Sequence, residues 1–512
     1  MGFGRLQRSL AAILGCATLG GCLVGPDFVQ PDPHLPEVSY FGDHGKAPAH
    51  LPAPTDPTWW NLFRDPILTR LEQRVADQNL DVQTATLRLA ESRFQRGVTA
   101  AAAFPSINGD GKYNRELYSQ NGIVSLLGGL LGPSAGGGFA PGAVNEYNVG
   151  FDASWEIDLW GRVRRQIEAA DAQVDQAADQ RRDALVSSLA ELARDYIQLR
   201  GVQTQLGIAN DNLKVDREIL QLAQERQQRG LQNGLDVENA AAQVESIRAQ
   251  LPQLEQQETQ YVNAISLLLD QPPGALKAEL GSRPSMRIGP PRIPLGIPSE
   301  LARRRPDIRA AEDALHAATA DIGVAVGDFY PKLQLNGTVG FDSLTAKHLF
   351  DASSLQYMVG PQVSLPIFAG GRLRSTLELR QAQQQEAAIT YRKTVLQAWH
   401  DVVNALVAHR LELLRRARLR AQADHSQAAL DLARARYNDG LTDFLNVLDA
   451  ERSLVSAEQQ FATSTTNVAL DLVQLFKALG GGWETSFPDV PSETAAVPVP
   501  DGPLVDAALV SR

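Results

Sequence analysis

The stretch from Arg372 to Asp439 constrains the fold of this chain more than any other. It contains neither proline nor glycine and is rich in Ala, Leu, Gln, Glu and Arg, all good helix formers. Apolar residues recur along it at helical spacing, at Tyr391, Val395, Trp399, Val402, Leu406 and Leu413. As one helix, its 68 residues would extend about 100 Å. Ordinary globular helices have about 8–20 residues, so the stretch predicts a rod-like architecture.

The same pattern occurs twice in the chain. Gly161 and Gly371 each precede a long helical stretch, Gly230 and Gly440 each follow one, and both pairs are 210 positions apart. Equal offsets at both ends mean that the two stretches have equal length. Solenoid repeats have about 20–50 residues. A repeat of this size therefore indicates duplication of a half-molecule.

The N-terminus has the three parts of a bacterial signal peptide: two early arginines, an apolar run at 10–19 and small residues. Residues 19–22, Leu-Gly-Gly-Cys, resemble a lipobox, in which cleavage exposes the cysteine to acylation. The alternative is an ordinary signal peptide with a coincidental cysteine. We expect cleavage after residue 21 and a covalent lipid on Cys22. Because Leu23 rather than Asp follows, we expect sorting to the outer membrane.

Ahead of each long stretch, the periodicity changes from helical to alternating. Apolar and polar residues alternate strictly over 147–158, and similar runs occur at 106–113, 333–342 and 357–367. Each run has about 8–12 residues, close to the length of a tilted membrane-spanning strand. Membrane barrels alternate apolar-out and polar-in, but a soluble sheet with one wet face alternates in the same way. The lipobox and the long helices favour the membrane barrel.

Four strands are too few to close a barrel, since the smallest single-chain membrane barrels have about eight strands. An open sheet edge in lipid would leave N–H and C=O groups unpaired. The strand count therefore predicts an oligomer.

The composition argues against several function classes. The net charge of −11 and the pI of about 5.3 disfavour a nucleic-acid partner. The chain has no Gly-rich phosphate loop and no His-Glu-x-x-His pair, and the mature chain would keep one cysteine. His400 and His409 are nine residues apart on the long stretch, which does not suit a shared metal. We therefore expect no enzymatic activity, no metal site and no cofactor besides the lipid on Cys22.

Five segments carry a family resemblance: 22–27, 59–66, 304–312, 365–372 and 437–450. The third reads Arg-Arg-Pro-Asp-Ile-Arg-Ala-Ala-Glu, and the fourth reads Leu-Pro-Ile-Phe-Ala-Gly-Gly-Arg. Together they resemble the TolC-like outer-membrane factors, especially the NodT-type efflux lipoproteins of tripartite RND-type pumps. The resemblance implies an α+β membrane protein and a homotrimer. Four strands per protomer would form a twelve-stranded outer-membrane β-barrel, continued across the periplasm by a long α-helical barrel.

The resemblance also implies a function and its partners. The protein would be a passive exit duct in the outer membrane, in contact with its lipid. Solutes would reach it from an inner-membrane RND-type transporter through a periplasmic adaptor (membrane fusion) protein. The sequence does not specify the exported solute. If the polar strand faces line the duct, the following carboxylates make it attractive to cations: Asp110, Asp152, Glu156, Asp158 and Asp342.

In the family, residues near the turn between the second pair of long helices close the periplasmic end. The matching positions here imply a constriction at Leu445 and Asp449, held shut by Tyr437 and Asp236. The alternative is that these are ordinary solvated residues. Relatives often place a basic residue beside the tyrosine or after the glycine. This chain has Asn438 and Thr442 there, which favours a hydrogen-bonded lock over a salt bridge.

The expected organisation has six parts. They are the signal peptide 1–21, the acylated tether 22–64, the first repeat 65–270 (helix, β-hairpin 105–158, long helix 162–229, return helix), the Pro-rich linker 271–298, the second repeat 299–480 (helix, β-hairpin 331–368, long helix 372–439, return helix) and the C-terminal tail 481–512. Two other functions remain open at this point. A coiled-coil scaffold would need the rods but not the alternating strands, and an envelope hydrolase would need a nucleophile–base pair.

Overall fold

A computed structural model describes residues 23–32, 57–117, 143–230, 233–281 and 304–488. The expected signal peptide, Cys22 and most of the tether lie outside the described residues. So do most of the Pro-rich linker and most of the C-terminal tail.

Helices predominate, and one small sheet accompanies them, which confirms the α+β class. In chain order the elements are α1 (Pro66–Gln78), α2 (Leu80–Ala100), β1 (Ser106–Glu116), β2 (Val144–Ile157), α3 (Arg162–Gln228), α4 (Gly234–Leu268), α5 (Lys277–Leu280), α6 (Pro306–Gly327), β3 (Lys332–Ser343), β4 (Leu355–Ser364), α7 (Arg372–Asn438) and α8 (Phe444–Ala478). Short 3₁₀ turns occur at Trp59–Phe63, Ala101–Ala103, Ala346–His348 and Ala352–Ser354. Within the described ranges, no helix is long and apolar enough to cross a membrane.

The two long helices, α3 and α7, have 67 residues each, and the two return helices, α4 and α8, have 35 each. Each long helix ends just before a glycine with positive φ, 71° at Gly230 and 72° at Gly440. This left-handed conformation is the usual way to end a helix, and glycine adopts it without steric cost. Pro252 lies inside α4 without ending it. The duplication seen in the sequence is therefore a duplication of long helical hairpins.

The four strands form one antiparallel sheet in the order β1-β2-β3-β4. The register keeps the alternation in phase across the sheet. Asn108, Asp152 and Thr338 are neighbours on one face. Phe151 and Val339 are neighbours on the other. The polar and apolar halves of each alternating run therefore make two continuous faces.

Gly150 and Gly340 lie directly opposite each other on β2 and β3. A Cβ atom on Gly150 would lie 2.7 Å from the Val339 carbonyl oxygen, and one on Gly340 would lie 2.7 Å from that of Val149. Both distances are too short for a side chain. The close approach of the two strands thus requires glycine at both positions.

The chain divides into two compact units. The sheet unit comprises 1–32, 88–177 and 310–392, and the helical unit comprises 33–87, 178–309 and 393–512. All four strands belong to the sheet unit, and the turns at Gly230 and Gly440 belong to the helical unit.

In the sheet unit, residues that follow Cys22 are held by Arg165. Its side chain is buried, and it donates to the Val24 carbonyl oxygen at 3.2 Å and to Asp27 Oδ1 at 2.6 Å. The ring of Phe28 stacks on His316, with 4.3 Å between ring centres. Segment 23–32 of the tether is thus bound to the helices of this unit.

In the helical unit, aromatic residues from the Trp59–Phe63 turn enter the main hydrophobic core, where Trp59 stacks on Phe476 at 5.4 Å. Asp65 then caps α1 by accepting the Ile67 amide hydrogen, with an N–O distance of 2.9 Å. Its other carboxylate oxygen accepts the hydroxyl of buried Tyr196. One aspartate therefore connects the start of α1 to the long helix α3.

Candidate gate at the ends of the helical hairpins

The turn after α7 is tightly closed by backbone hydrogen bonds. The Gly440 amide donates to the Tyr437 carbonyl at 3.1 Å, and the Leu441 amide donates to the Arg436 carbonyl at 2.8 Å. At the turn after α3, the Gly230 amide donates to the Gln227 carbonyl at 2.8 Å. These bonds satisfy carbonyls at the helix ends. The chain direction therefore reverses at fixed points, and the residues just beyond take defined positions.

The first two turns of α8 have one buried and one exposed face. Phe444, Val447 and Leu448 are buried, whereas Leu445 is 53% exposed and Asp449 is also exposed. The spacing of four residues places Leu445 and Asp449 on the same helical face. The protomer thus presents an apolar and an acidic side chain together, one turn apart. Their predicted role in a constriction stays a prediction.

Tyr437, expected to help hold the gate, packs between both hairpins of the helical unit. The Arg226 guanidinium of α3 lies 4.5 Å from the centre of its ring, and the Phe444 ring lies 5.7 Å away. Tyr437 also packs on a small cluster around Leu430 and Val447. The sequence did not indicate this contact, because Arg226 is far from Tyr437 in the chain. Arg226 supplies a basic partner that Asn438 and Thr442 do not.

Asp236 lies in the first turn of α4. Its backbone amide donates to the side chain of the helix cap Asn233 at 3.2 Å. A carboxylate at this position is stabilised by the positive end of the helix dipole. Near the other turn, Asn446 donates to the Thr442 hydroxyl at 2.8 Å. The proposed bond between Tyr437 and Asp236 stays a prediction.

Two buried carboxyl groups, which the sequence analysis did not predict, lie between the hairpins. Glu451 of α8 is 4% exposed and Asp216 of α3 is 3% exposed. Arg434 of α7 donates to Glu451 Oε1 at 3.2 Å. Burial, followed by the charge of Asp216, raises the pKa of Glu451 to about 8. Burial also raises the pKa of Asp216, and this effect exceeds the opposite effect of hydrogen bonding with Glu451 and Gln243, which lowers the pKa.

In the sheet unit, two of the carboxylates expected on the polar strand face have basic partners. Arg162 contacts Glu156 at 2.7 Å, and Arg164 contacts Asp158 at 3.4 Å. Lys112 lies on the same face as Asp110. The negative charge of this face therefore rests on Asp110, Asp152 and Asp342, together with Glu116 and Glu146 on the same face. No group of three or more His, Cys, Asp or Glu side chains in the described part of the chain is arranged to hold a metal ion.

The sheet, the duplicated hairpins and the residues at their ends define an outer-membrane channel. The family model described as "Outer membrane efflux protein" matches residues 71–271 and 297–481, and the chain belongs to this family. The resemblance inferred from the sequence is therefore confirmed. The protein is an exit channel of the outer membrane that extends into the periplasm.

Individual relatives agree along nearly the whole chain. Outer membrane protein OprJ of Pseudomonas aeruginosa is 34% identical over 481 residues, covering 93% of this chain and 96% of OprJ. The probable outer membrane lipoprotein SilC of Salmonella typhimurium is 29% identical, covering 93% of this chain and 99% of SilC. Among solved structures, the outer-membrane channel OprN is 33% identical with a TM-score of 0.82, covering 90% of this chain and all of OprN.

Proposed function

We propose that three copies of this chain form a passive exit duct without enzymatic activity. Each copy would contribute four strands to a twelve-stranded barrel. The duct would receive solutes from an inner-membrane RND-type transporter through a periplasmic adaptor. A lipid on Cys22 would anchor each copy in the outer membrane. The transporter, not the duct, would select the exported solute.

The strand order supports closure of a barrel by several copies, and the number three follows from the family to which the chain belongs. Strands β1 and β4 lie at the two edges of the sheet, so within the chain each is hydrogen-bonded to a neighbouring strand on one side. Exposed apolar residues lie along one face of β4, among them Tyr357, Val359 and Val363. A sheet with this face in lipid must pair its edges, because lipid offers no hydrogen-bond partners. Pairing β4 of one copy with β1 of the next closes the barrel and satisfies both edges.

The exposed face of α8 supports a gate at the periplasmic end. In a trimer, Leu445 and Asp449 would each occur three times around one axis. Three leucines would form an apolar collar that excludes water. Three carboxylates would repel one another and attract cations, so they do not close the pore by themselves. Closure would then depend on contacts that hold the hairpins inward, such as those of Tyr437.

Single-channel recording of the purified protein in planar bilayers tests this function. We expect a conducting trimer, and Leu445→Ala should raise its basal conductance by opening the collar. Leu441→Ala is the matched control, because Leu441 is also exposed near the same turn. A trimer that never conducts, even with adaptor and transporter present, would instead favour a scaffold. Cross-linking and mass measurement would establish the number of copies.

A further inference from the structure

The buried carboxyl pair in the helical unit has a feature that ordinary packing does not explain. Among the described residues, Asp216 Oδ2 and Glu451 Oε2 have no hydrogen-bond donor. Gln205 of α3 donates to the Thr463 hydroxyl of α8 at 3.2 Å, and the register of these antiparallel helices brings Asp216 level with Glu451. Both carboxyl groups are buried there. Two ionised carboxylates cannot bond, since neither carries a hydrogen. A single proton between them satisfies both groups.

The pair lies among side chains of four helices. Asp216 belongs to α3 and Glu451 to α8, and their neighbours are Gln243 of α4, Arg434 of α7 and Arg452 of α8. Arg452 donates to the side chain of Gln243 at 3.1 Å. Arg434 therefore provides one nearby positive charge to Glu451 within the second hairpin. It does not supply the hydrogen that a carboxyl–carboxylate bond to Asp216 requires.

We propose that Asp216 and Glu451 share one proton that fastens the first helical hairpin to the second, and that loss of this proton releases α8 from α3. When the proton leaves, Arg434 keeps Glu451 attached to its own hairpin. Asp216 then faces a second buried negative charge from the other hairpin. Like charges in a buried site repel strongly because water does not screen them. The repulsion acts between α3 and α8, two turns from Leu445.

The sign of the pH dependence follows from the raised pKa of Glu451. Between its ordinary value of 4.5 and about 8, the folded protein holds a proton that the unfolded chain has released. Stability therefore falls as the pH rises through this window. Release of one proton per protomer changes the ratio of fastened to released hairpins by up to about tenfold per pH unit.

Thermal unfolding of the full-length trimer between pH 5 and pH 9 tests the shared proton without depending on conduction. The parent should lose stability across this range. Glu451→Gln cannot titrate but keeps a hydrogen-bond donor toward Asp216, so its unfolding temperature should vary less with pH. Asp216→Asn should give the same result, and it provides the test if Glu451→Gln fails to fold. Glu218→Gln, which changes an exposed glutamate on α3 near Asp216, should resemble the parent.

The consequence for conduction rests on the proposed duct and is measured separately. Raising the pH on the periplasmic side from 6 to 9 should increase the open fraction of the parent but not of Glu451→Gln. Equal pH dependence of stability in the parent, Glu451→Gln and Asp216→Asn would overturn the shared proton. A pH-dependent stability with a pH-independent open fraction would overturn its role in releasing the hairpins. Neither result bears on whether the protein conducts.

Discussion

Arg226 and Tyr437 lie in different hairpins, and the Arg226 guanidinium stands 4.5 Å from the centre of the Tyr437 ring. A cation over an aromatic face contributes about 0.5–1 kcal/mol at exposed sites. The contact joins the end of α3 to the end of α7, next to the turn that positions Leu445. It gives the tyrosine a partner inside the same protomer. A hairpin that moves outward must break this contact.

We therefore predict that Arg226→Gln raises the basal open fraction of the channel. Loss of about 0.5–1 kcal/mol corresponds to a two- to fivefold change per protomer. Single-channel recording measures it, with Arg217→Gln, an exposed arginine on α3, as the control. Tyr437→Phe tests the predicted bond to Asp236 separately. It removes the hydroxyl and keeps the ring over Arg226, so an increased open fraction would support that bond.

Asp449→Ala should chiefly weaken block by divalent cations applied from the periplasmic side. Three carboxylates around one axis would bind such ions, and alanine removes them without adding bulk. The closed state should change less than with Leu445→Ala, because Asp449 does not form the apolar collar. Asp439→Ala removes an exposed carboxylate beside the turn and is the control. Unchanged divalent block in Asp449→Ala would place the constriction elsewhere.

The polar strand face predicts weak cation selectivity. Its excess charge lies on Asp110, Asp152 and Asp342, together with Glu116 and Glu146, since Glu156 and Asp158 have arginine partners. Reversal potentials should favour potassium over chloride and shift toward zero as salt rises, because screening shortens to about 3 Å at 1 M. Asp342→Asn should reduce the selectivity, whereas Asp77→Asn in the helical unit should not. A preference for chloride in the parent would contradict the assignment of faces.

Asp65→Ala should destabilise the helical unit by about 1.5–5 kcal/mol. The substitution removes the cap of α1, which costs about 0.5–2 kcal/mol. It also leaves the buried Tyr196 hydroxyl without its acceptor, which costs about 1–3 kcal/mol. Denaturant or thermal unfolding measures the loss. Asp77→Ala, an exposed aspartate on the same helix, should change stability by less than about 0.5 kcal/mol.

Cys22→Ser should abolish acylation, while insertion of the barrel continues. The lipid adds membrane affinity of about 0.8 kcal/mol per buried CH₂ group, whereas the sheet carries its own apolar face. Mass spectrometry of the mature N-terminus distinguishes acylated from unmodified protein. An unmodified N-terminus in the parent would contradict the proposed lipid anchor.

The sequence by itself determined the elements and the family. Long stretches without proline, glycines such as Gly230 and Gly440 at their ends, and the strict alternation over 147–158 all act through local backbone preferences. Such preferences are legible in one sequence because each depends on residues a few positions apart. Strand count then predicted an oligomer, and alternation together with the lipobox and the long helices predicted a membrane-facing sheet. The positions of Leu445 and Asp449 on one helical face also followed from spacing alone.

Only the tertiary structure decided which side chains meet across helices. A helix pattern does not reveal that Glu451 is buried, since a glutamate fits an exposed face equally well. Its pairing with Asp216 depends on how α3 and α8 are rotated about their axes, which no local spacing specifies. The contact of Arg226 with Tyr437 and the pairing of Arg162 with Glu156 arise in the same way. Burial and relative helix rotation, rather than residue type, give these groups their electrostatic properties.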